Sequence, residues 1–173
     1  QYGWNYETGF RLRNSDESMM LDVSAFYYHL NNAIVRRLTA ASTEYYTNSG
    51  DIKQPGLELY FTDWLIKQTD HGFIRGLQFS ESLTISKFAF GNYRDATTGY
   101  AGNELTGVPR HVSVASVQVK FPESLYLYAQ YNSTARIPLN EANTFYAPHY
   151  NLVQAKLGWQ HQLSNKSRLE IFA

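Results

Sequence analysis

Apolar and polar residues alternate with a period of two along most of this chain. Within residues 6–12, Tyr6, Thr8, Phe10 and Leu12 fall on one side, and Glu7, Gly9 and Arg11 on the other. That pattern marks a strand whose two faces meet unlike surroundings. An Asn/Ser/Asp-rich turn follows at 14–18. Leu21, Val23, Ala25 and Tyr27 then oppose Asp22, Ser24, Phe26 and Tyr28. This second segment is expected to run to about Arg37, well beyond the roughly five or six residues of an ordinary strand. Residues 44–48 and 56–62 read as two parts of one returning strand, interrupted at 48–50 and at Pro55-Gly56. Further strands are predicted at 77–90, 112–121, 125–131, 150–163 and from Arg168 onward. Residues 63–76 show no clear pattern apart from a turn at 70–72. The predicted fold is all-β, an antiparallel up-and-down meander of about eight strands.

The connections alternate in length. Those at 14–18, 122–124 and 164–167 are short, whereas 91–109 and 133–148 are long. Long loops at one end and tight turns at the other are the habit of membrane β-barrels. Several segments reach the roughly nine to eleven residues that a tilted strand needs to cross a bilayer. Tyr27, Tyr28, Tyr45, Tyr46, Tyr131, Tyr150 and Trp159 lie near strand ends and suit an interfacial aromatic girdle. Tyr is also common in any sheet.

Composition narrows the function. Fifteen Lys plus Arg balance fifteen Asp plus Glu, so nothing favours nucleic acid, and 16% aromatic content excludes a disordered chain. With no Cys, thiol catalysis, disulfide scaffolds and Cys-ligated zinc drop out. Mean hydropathy is −0.42, and no apolar run is long enough for a spanning helix. His29, His71, His111, His149 and His161 show no metal-ligand spacing, and there is no nucleophile elbow or phosphate-cradling glycine run. No enzyme and no bound cofactor or metal is expected. Asn132-Ser-Thr134 and Asn165-Lys-Ser167 match a glycosylation pattern that is frequent by chance. Glu7, Arg11, Glu58, Arg168 and Glu170 would face a polar interior and pair with each other or with a plug. Arg36, Arg37, Arg94, Arg110 and Arg136 fall in or beside the long connections. Arg with Tyr suits an anionic, oxygen-rich ligand, because Arg offers a planar fork of donors. Loop charges that simply remain solvated or meet lipid headgroups are an equal alternative.

Several segments in order resemble successive strands of TonB-dependent outer-membrane receptors of the ferric-siderophore type. They are Tyr6-Glu-x-Gly-Phe-Arg11, Leu21-Asp-Val-Ser-Ala-Phe-Tyr-Tyr28 and Asn32-Ala-Ile-Val35, then Thr47-Asn-Ser-Gly50 with Gly56-Leu-Glu-Leu59. Phe90-Gly-Asn-Tyr93, Gly102-Asn-Glu-Leu-Thr-Gly-Val-Pro109 and Pro138-Leu-Asn-Glu-Ala-Asn143 complete the series. The resemblance implies a segment of a larger transmembrane barrel, of the type with roughly 22 strands and a plugged lumen. It implies import of a metal chelate such as a ferric siderophore, powered by the TonB complex through a plug domain. Outer-membrane lipid would surround the wall. Ligand contacts in this family lie in plug apices and variable loops. The candidates here are therefore Arg94, Tyr100, Arg110 and Arg136, chosen by loop position and chemistry.

A start at Gln1 and a strand still running at Ala173 lead us to expect a fragment, one partial barrel domain over 1–173 without plug or closing strands. Two alternatives remain at this stage. A lipocalin-like eight-stranded binding barrel fits the length, but Gly3 and Trp4 are adjacent where that family has Gly-x-Trp. A complete small outer-membrane barrel would end on an aromatic residue rather than on Ala173.

Overall fold

The computed structural model describes residues 1–38, 43–48, 50–94, 98–164 and 166–173, with the backbone alone at 35–38 and 47. Its strands are β1 (Tyr2–Arg13), β2 (Met19–Asn31), β3 (Ile34–Leu38), β4 (Glu44–Asn48), β5 (Ile52–Ile66), β6 (Gly76–Ser86), β7 (Ala89–Phe90), β8 (His111–Lys120), β9 (Leu125–Thr134), β10 (Ile137–Pro138), β11 (Tyr146–Ala147), β12 (Tyr150–Ser164) and β13 (Ser167–Phe172). The main sheet runs β1-β2-β5-β6-β8-β9-β12-β13, each long strand antiparallel to the next. These are the expected meander strands. The described helical structure is a single 3-10 turn at Pro122–Ser124, and no helix is long and apolar enough to cross a membrane. Among the described residues nothing joins β1 to β13, so the sheet is open. Both eight-stranded alternatives require that closure.

The register carries the alternation across the whole sheet. One row reads Leu12, Leu21, Phe61, Glu81, Ala115, Tyr131, Val153. The next residue along gives a row of the opposite face: Arg11, Asp22, Tyr60, Ser82, Val114, Asn132, Leu152. One face is thus mainly Leu, Val, Ile, Phe, Ala and Tyr, and the other mainly Ser, Thr, Gln, Asn and charge. The apolar face is not covered by any described layer of this chain. Phe10 is 59% exposed, Leu157 56% and Val153 76%. The buried cluster of Ala33, Ile52, Phe90 and Tyr93 lies at the long-loop end of the sheet instead. An apolar face without a protein layer over it is what a wall bathed in lipid presents.

Several sequence expectations need correcting. The second strand stops at Asn31, because Asn32 takes a positive φ of 53°. The chain then enters a separate hairpin, with Ala33 N–H donating to the Gly50 carbonyl at 2.9 Å. Residues 44–48 therefore pair with β3 and are not part of the returning strand. That strand, β5, passes straight through Pro55. The Pro55 carbonyl accepts from Lys87 N–H at 3.0 Å, and a residue's N–H and C=O point to the same neighbour. The missing N–H thus faces Lys87, whose carbonyl it cannot serve, and the ladder along β5 breaks there between β6 and β7. Residues 63–66 extend β5, and the predicted strand 77–90 is interrupted at 87–88 into β6 and β7, which keep one register along β5. Finally, the proposed girdle splits by parity. Tyr27, Tyr131 and Trp159 lie on the apolar face, Tyr28 and Tyr150 on the polar one, and Tyr45 and Tyr46 on the β3–β4 hairpin.

The five residues expected to face a polar interior all lie on the polar face, and Arg11, Glu7 and Glu170 pair there with neighbours outside the set. Arg11 donates through Nε to Asp22 at 2.7 Å, Glu7 accepts from Ser24 at 3.0 Å, and Lys156 donates to Glu170 at 2.8 Å. Asn132 is also on this face, and Asn165 is outside the described residues.

The turn at 14–18 is built by its own side chains. Asn14 Oδ1 accepts from Met19 N–H at 2.9 Å, and Asp16 Oδ1 accepts from the Ser18 amide and hydroxyl at 3.2 and 2.8 Å. Hydrogen bonds from the Lys67 ammonium and from Ser18 hold the Asp16 carboxyl at about 2, below its ordinary 3.8. The depressed value means that this contact stabilises the turn above pH 3.8 and is lost as pH falls through about 2. Both groups are well exposed, so the effect on stability is small. Lys67→Ala is expected to move the Asp16 pKa up toward 3.8, which an NMR titration of its carboxyl carbon would report.

Candidate functional site

The long connections fold onto one another as a cap at one end of the sheet. Its apolar centre is Phe90 stacked on Tyr93 at 4.5 Å, with Tyr100 tilted against Tyr93 at 5.4 Å. Ala33 and Ile52 close the cluster, and Leu30 and Leu105 pack at its edge. Around that centre, polar side chains tie loop to loop. Asn143 bridges the 135–149 connection to the 87–110 connection, its Oδ1 accepting from Glu104 N–H at 2.6 Å and its Nδ2 donating to the Glu104 carbonyl at 3.0 Å. Asn103 donates to the Glu141 carbonyl at 2.7 Å, and Tyr93 donates its hydroxyl hydrogen to Glu141 at 3.3 Å.

Asp51, just before β5, fastens the connection between β2 and β5 to this group. Its carboxylate meets His29 Nε2 at 3.0 Å and accepts from the Asn92 amide, while its carbonyl accepts from Gly91 N–H at 2.8 Å. Burial alone would raise its pKa. The Asn92 amide and the His29 ring outweigh burial and hold the carboxyl below its ordinary value. Asp51 is thus fixed as an acceptor between the end of β2 and the 87–110 connection.

The four candidate ligand residues are only partly brought together. Tyr100 is half-buried and belongs to the aromatic centre. Arg94 is exposed in the same connection, its backbone bridged to Gly99. Arg110 and Arg136 lie just beyond the paired Val112 and Thr134, on neighbouring chain segments at the rim. Arg110 pairs with Glu104, and Arg136 lies 4.1 Å over the Tyr146 ring, a cation–π contact. The backbone of Arg36 and Arg37 lies in β3, opposite Tyr46 and Tyr45, and their side chains are outside the described residues. Asp51, Asn103, Glu104, Glu141 and Asn143, which build the cap, were not singled out from the sequence. Asn103, Asn140 and Asn143 in the long connections carried a signal for them, since Asn and Asp side chains readily replace backbone partners in loops.

Below the cap, the polar face presents two carboxylates around one serine. Glu7 accepts from Ser24, and Ser24 is the register partner of Glu58. With Asn5, Phe26, Tyr28, Gln54 and Phe88 these carboxylates line a hollow of about 480 Å³. The ring of Phe26 lies where a Cβ on Gly56 would stand, so glycine at 56 lets that aromatic wall lie flat on the strand.

The family model described as TonB dependent receptor-like, beta-barrel, matches residues 1–173. The chain belongs to this family. TonB-dependent receptors are transport receptors, and their barrels are outer-membrane barrels. Solved structures share the fold. The chain is similar to the ferric yersiniabactin uptake receptor FyuA from Yersinia pestis, at 20% identity and a TM-score of 0.70, covering 98% of this chain and 24% of that one. The siderophore receptor PiuA from Acinetobacter baumannii gives 20% identity and a TM-score of 0.65, over 98% of this chain and 23% of that one. BauA, the ferric preacinetobactin receptor of Acinetobacter baumannii, gives 14% and 0.69, over 93% and 23%. The chain thus spans about a quarter of the length of the solved receptors it matches. No curated protein matches it.

Proposed function

We propose that residues 1–173 form one partial barrel domain of a TonB-dependent receptor in a bacterial outer membrane, and that the receptor imports a metal chelate, namely a ferric siderophore. The observation that carries the reading is a family match along the whole chain, over a meander with one apolar and one polar face. The proteins of like fold that are named for ferric siderophores supply the ligand class. In this reading the apolar face meets outer-membrane lipid. The polar face, with Glu7, Arg11 and Glu58, lines the lumen opposite a plug domain that engages the TonB complex. The cap is the outward-facing end, where Arg94, Tyr100, Arg110 and Arg136 meet the chelate. Guanidinium forks and a phenol fit the oxygen-rich anionic surface of such ligands.

The test is uptake of radioactive iron by cells carrying the full-length receptor. Replacing Arg94, Arg110 and Arg136 together by Glu should lower chelate uptake by about tenfold or more, with receptor abundance unchanged. Because Arg110→Glu would face Glu104, the set with Arg110→Gln is measured beside it. Uptake at the wild-type level in both sets removes these loops from the ligand site.

A further inference from the structure

The apolar face carries one charged residue at its centre. Glu81 lies midway along β6, flanked on the same face by Phe79 and Leu83 and set in register between Phe61 on β5 and Ala115 on β8. The other charged residues among the described positions of this face, Lys53 and Asp63, lie toward the two ends of β5. Glu81 is half-buried, and its described hydrogen-bond partner is the Ser113 hydroxyl, donating at 2.7 Å. A carboxylate at this depth is costly in hydrocarbon, and ionisable residues there ordinarily mark function. One neutral hydroxyl offsets little of that cost, and the central part of the face offers no Lys or Arg to complete it.

The relief of the wall beside Glu81 is low. Ala115 on β8 lies directly beside Glu81 and Ser113 diagonally to it. Ser113 is paired in turn with Ser133 on β9, so a short strip of small residues crosses from β8 to β9. Tyr131 and Val117 border it, and Ala129 with Ala155 forms a second small pair in the row of Val117. Small residues of this kind let another backbone approach closely within a bilayer. We propose that the wall centred on Glu81 is the contact face for a second membrane-embedded protein, which lies along this strip and brings a Lys or Arg side chain to the Glu81 carboxylate. The charge left unmatched among the described residues selects the partner's chemistry. A second copy is disfavoured, because it would bring another carboxylate to the same depth. This contact rests on the membrane reading of the apolar face, which the Val23 and Leu57 variants discussed below test separately. Normal assembly of those variants overturns both claims, whereas failure of the experiment that follows overturns this contact alone.

The experiment places a photoactivatable residue at Leu83 of the full-length protein in its own outer membrane. Irradiation should give a discrete adduct with a different protein, and the crosslinked peptide should contain Lys or Arg. Glu81→Leu should lower its yield by more than about tenfold while leaving the amount of folded barrel, read from heat-modifiable gel mobility, equal or higher. Glu81→Lys should abolish the adduct, and exchanging the partner's cation for Glu should restore it. Adducts to lipid alone, an adduct between two copies of this chain, or a yield indifferent to Glu81→Leu would each overturn the proposal.

Discussion

Arginine at Val23 or at Leu57 is expected to cost the assembled barrel about 2–4 kcal/mol, the penalty for a cation near the bilayer midplane. Val23 sits between Phe10 and Leu59, and Leu57 between Ala25 and Ile85, so both are ringed by apolar side chains of the same face. A guanidinium there meets hydrocarbon and finds no described carboxylate among its register neighbours. Ser82→Arg is the matched control. It lies in the strand next to Leu57's own, but on the polar face beside Tyr60 and Val114, where water or polar groups can solvate the new charge. Refolding of the full-length protein into lipid vesicles, titrated with denaturant, would give all three values. If Val23→Arg and Leu57→Arg assemble as readily as Ser82→Arg, the apolar face is not the lipid face.

The same physics explains why the wall was legible in the sequence and the cap was not. A strand between two unlike solvents must alternate, so Leu21, Val23, Ala25 and Tyr27 announce their shared face without any tertiary knowledge. A register slip of one residue would exchange every lipid-facing side chain for a polar one, so pairing follows from the pattern. Where the sequence reading erred on the wall, parity had the answer. Tyr27 and Tyr28 are adjacent and so cannot both belong to one girdle. Pro55 and Asn32 misled in opposite directions. Proline looked like an end to its own strand, but β5 runs through it and the break falls on the neighbour, at 87–88 between β6 and β7. Asn32 looked like the middle of a strand but accepts a left-handed turn that Asn tolerates better than most residues.

The cap has no period to read. Its contacts join Glu104 to Asn143 and Tyr93 to Glu141 across the long connections, and its apolar centre is three aromatic rings from one connection packed against Ala33 and Ile52. Nothing in local spacing encodes such partners. Chemistry by residue type found Arg94, Tyr100, Arg110 and Arg136, because cations and phenols stand out in loops. The same approach passed over Asp51, which stands out only once His29 and Asn92 are seen around it. The cap residues that hold the loops are thus a different set from those expected to touch a ligand, and the two sets can be perturbed independently.

Gly50→Val is the sharpest way to do so. Gly50 takes a φ of +98°, where an L residue costs about 1–2 kcal/mol. A Cβ at this position would also overlap the carbonyl oxygen of Asn92. That oxygen cannot retreat freely, because the Asn92 amide is bound by Asp51, whose own carbonyl holds Gly91. Gly50 itself anchors the start of the β3–β4 hairpin through the Ala33 amide. The strain therefore passes into Phe90 and Tyr93 and unseats the stacked centre of the cap, for a total of at least about 2 kcal/mol. The ladder of the wall begins at Ile52 and does not use Gly50, so barrel assembly should be spared. Expected are faster protease cleavage in the 87–110 connection and reduced chelate uptake, with the yield of heat-modifiable barrel unchanged. An equal loss of folded barrel would mean that cap and wall fold as one unit. Unchanged proteolysis would mean that the cap tolerates a backbone shift at Asn92, and that the Asp51 clamp is not what sets its shape.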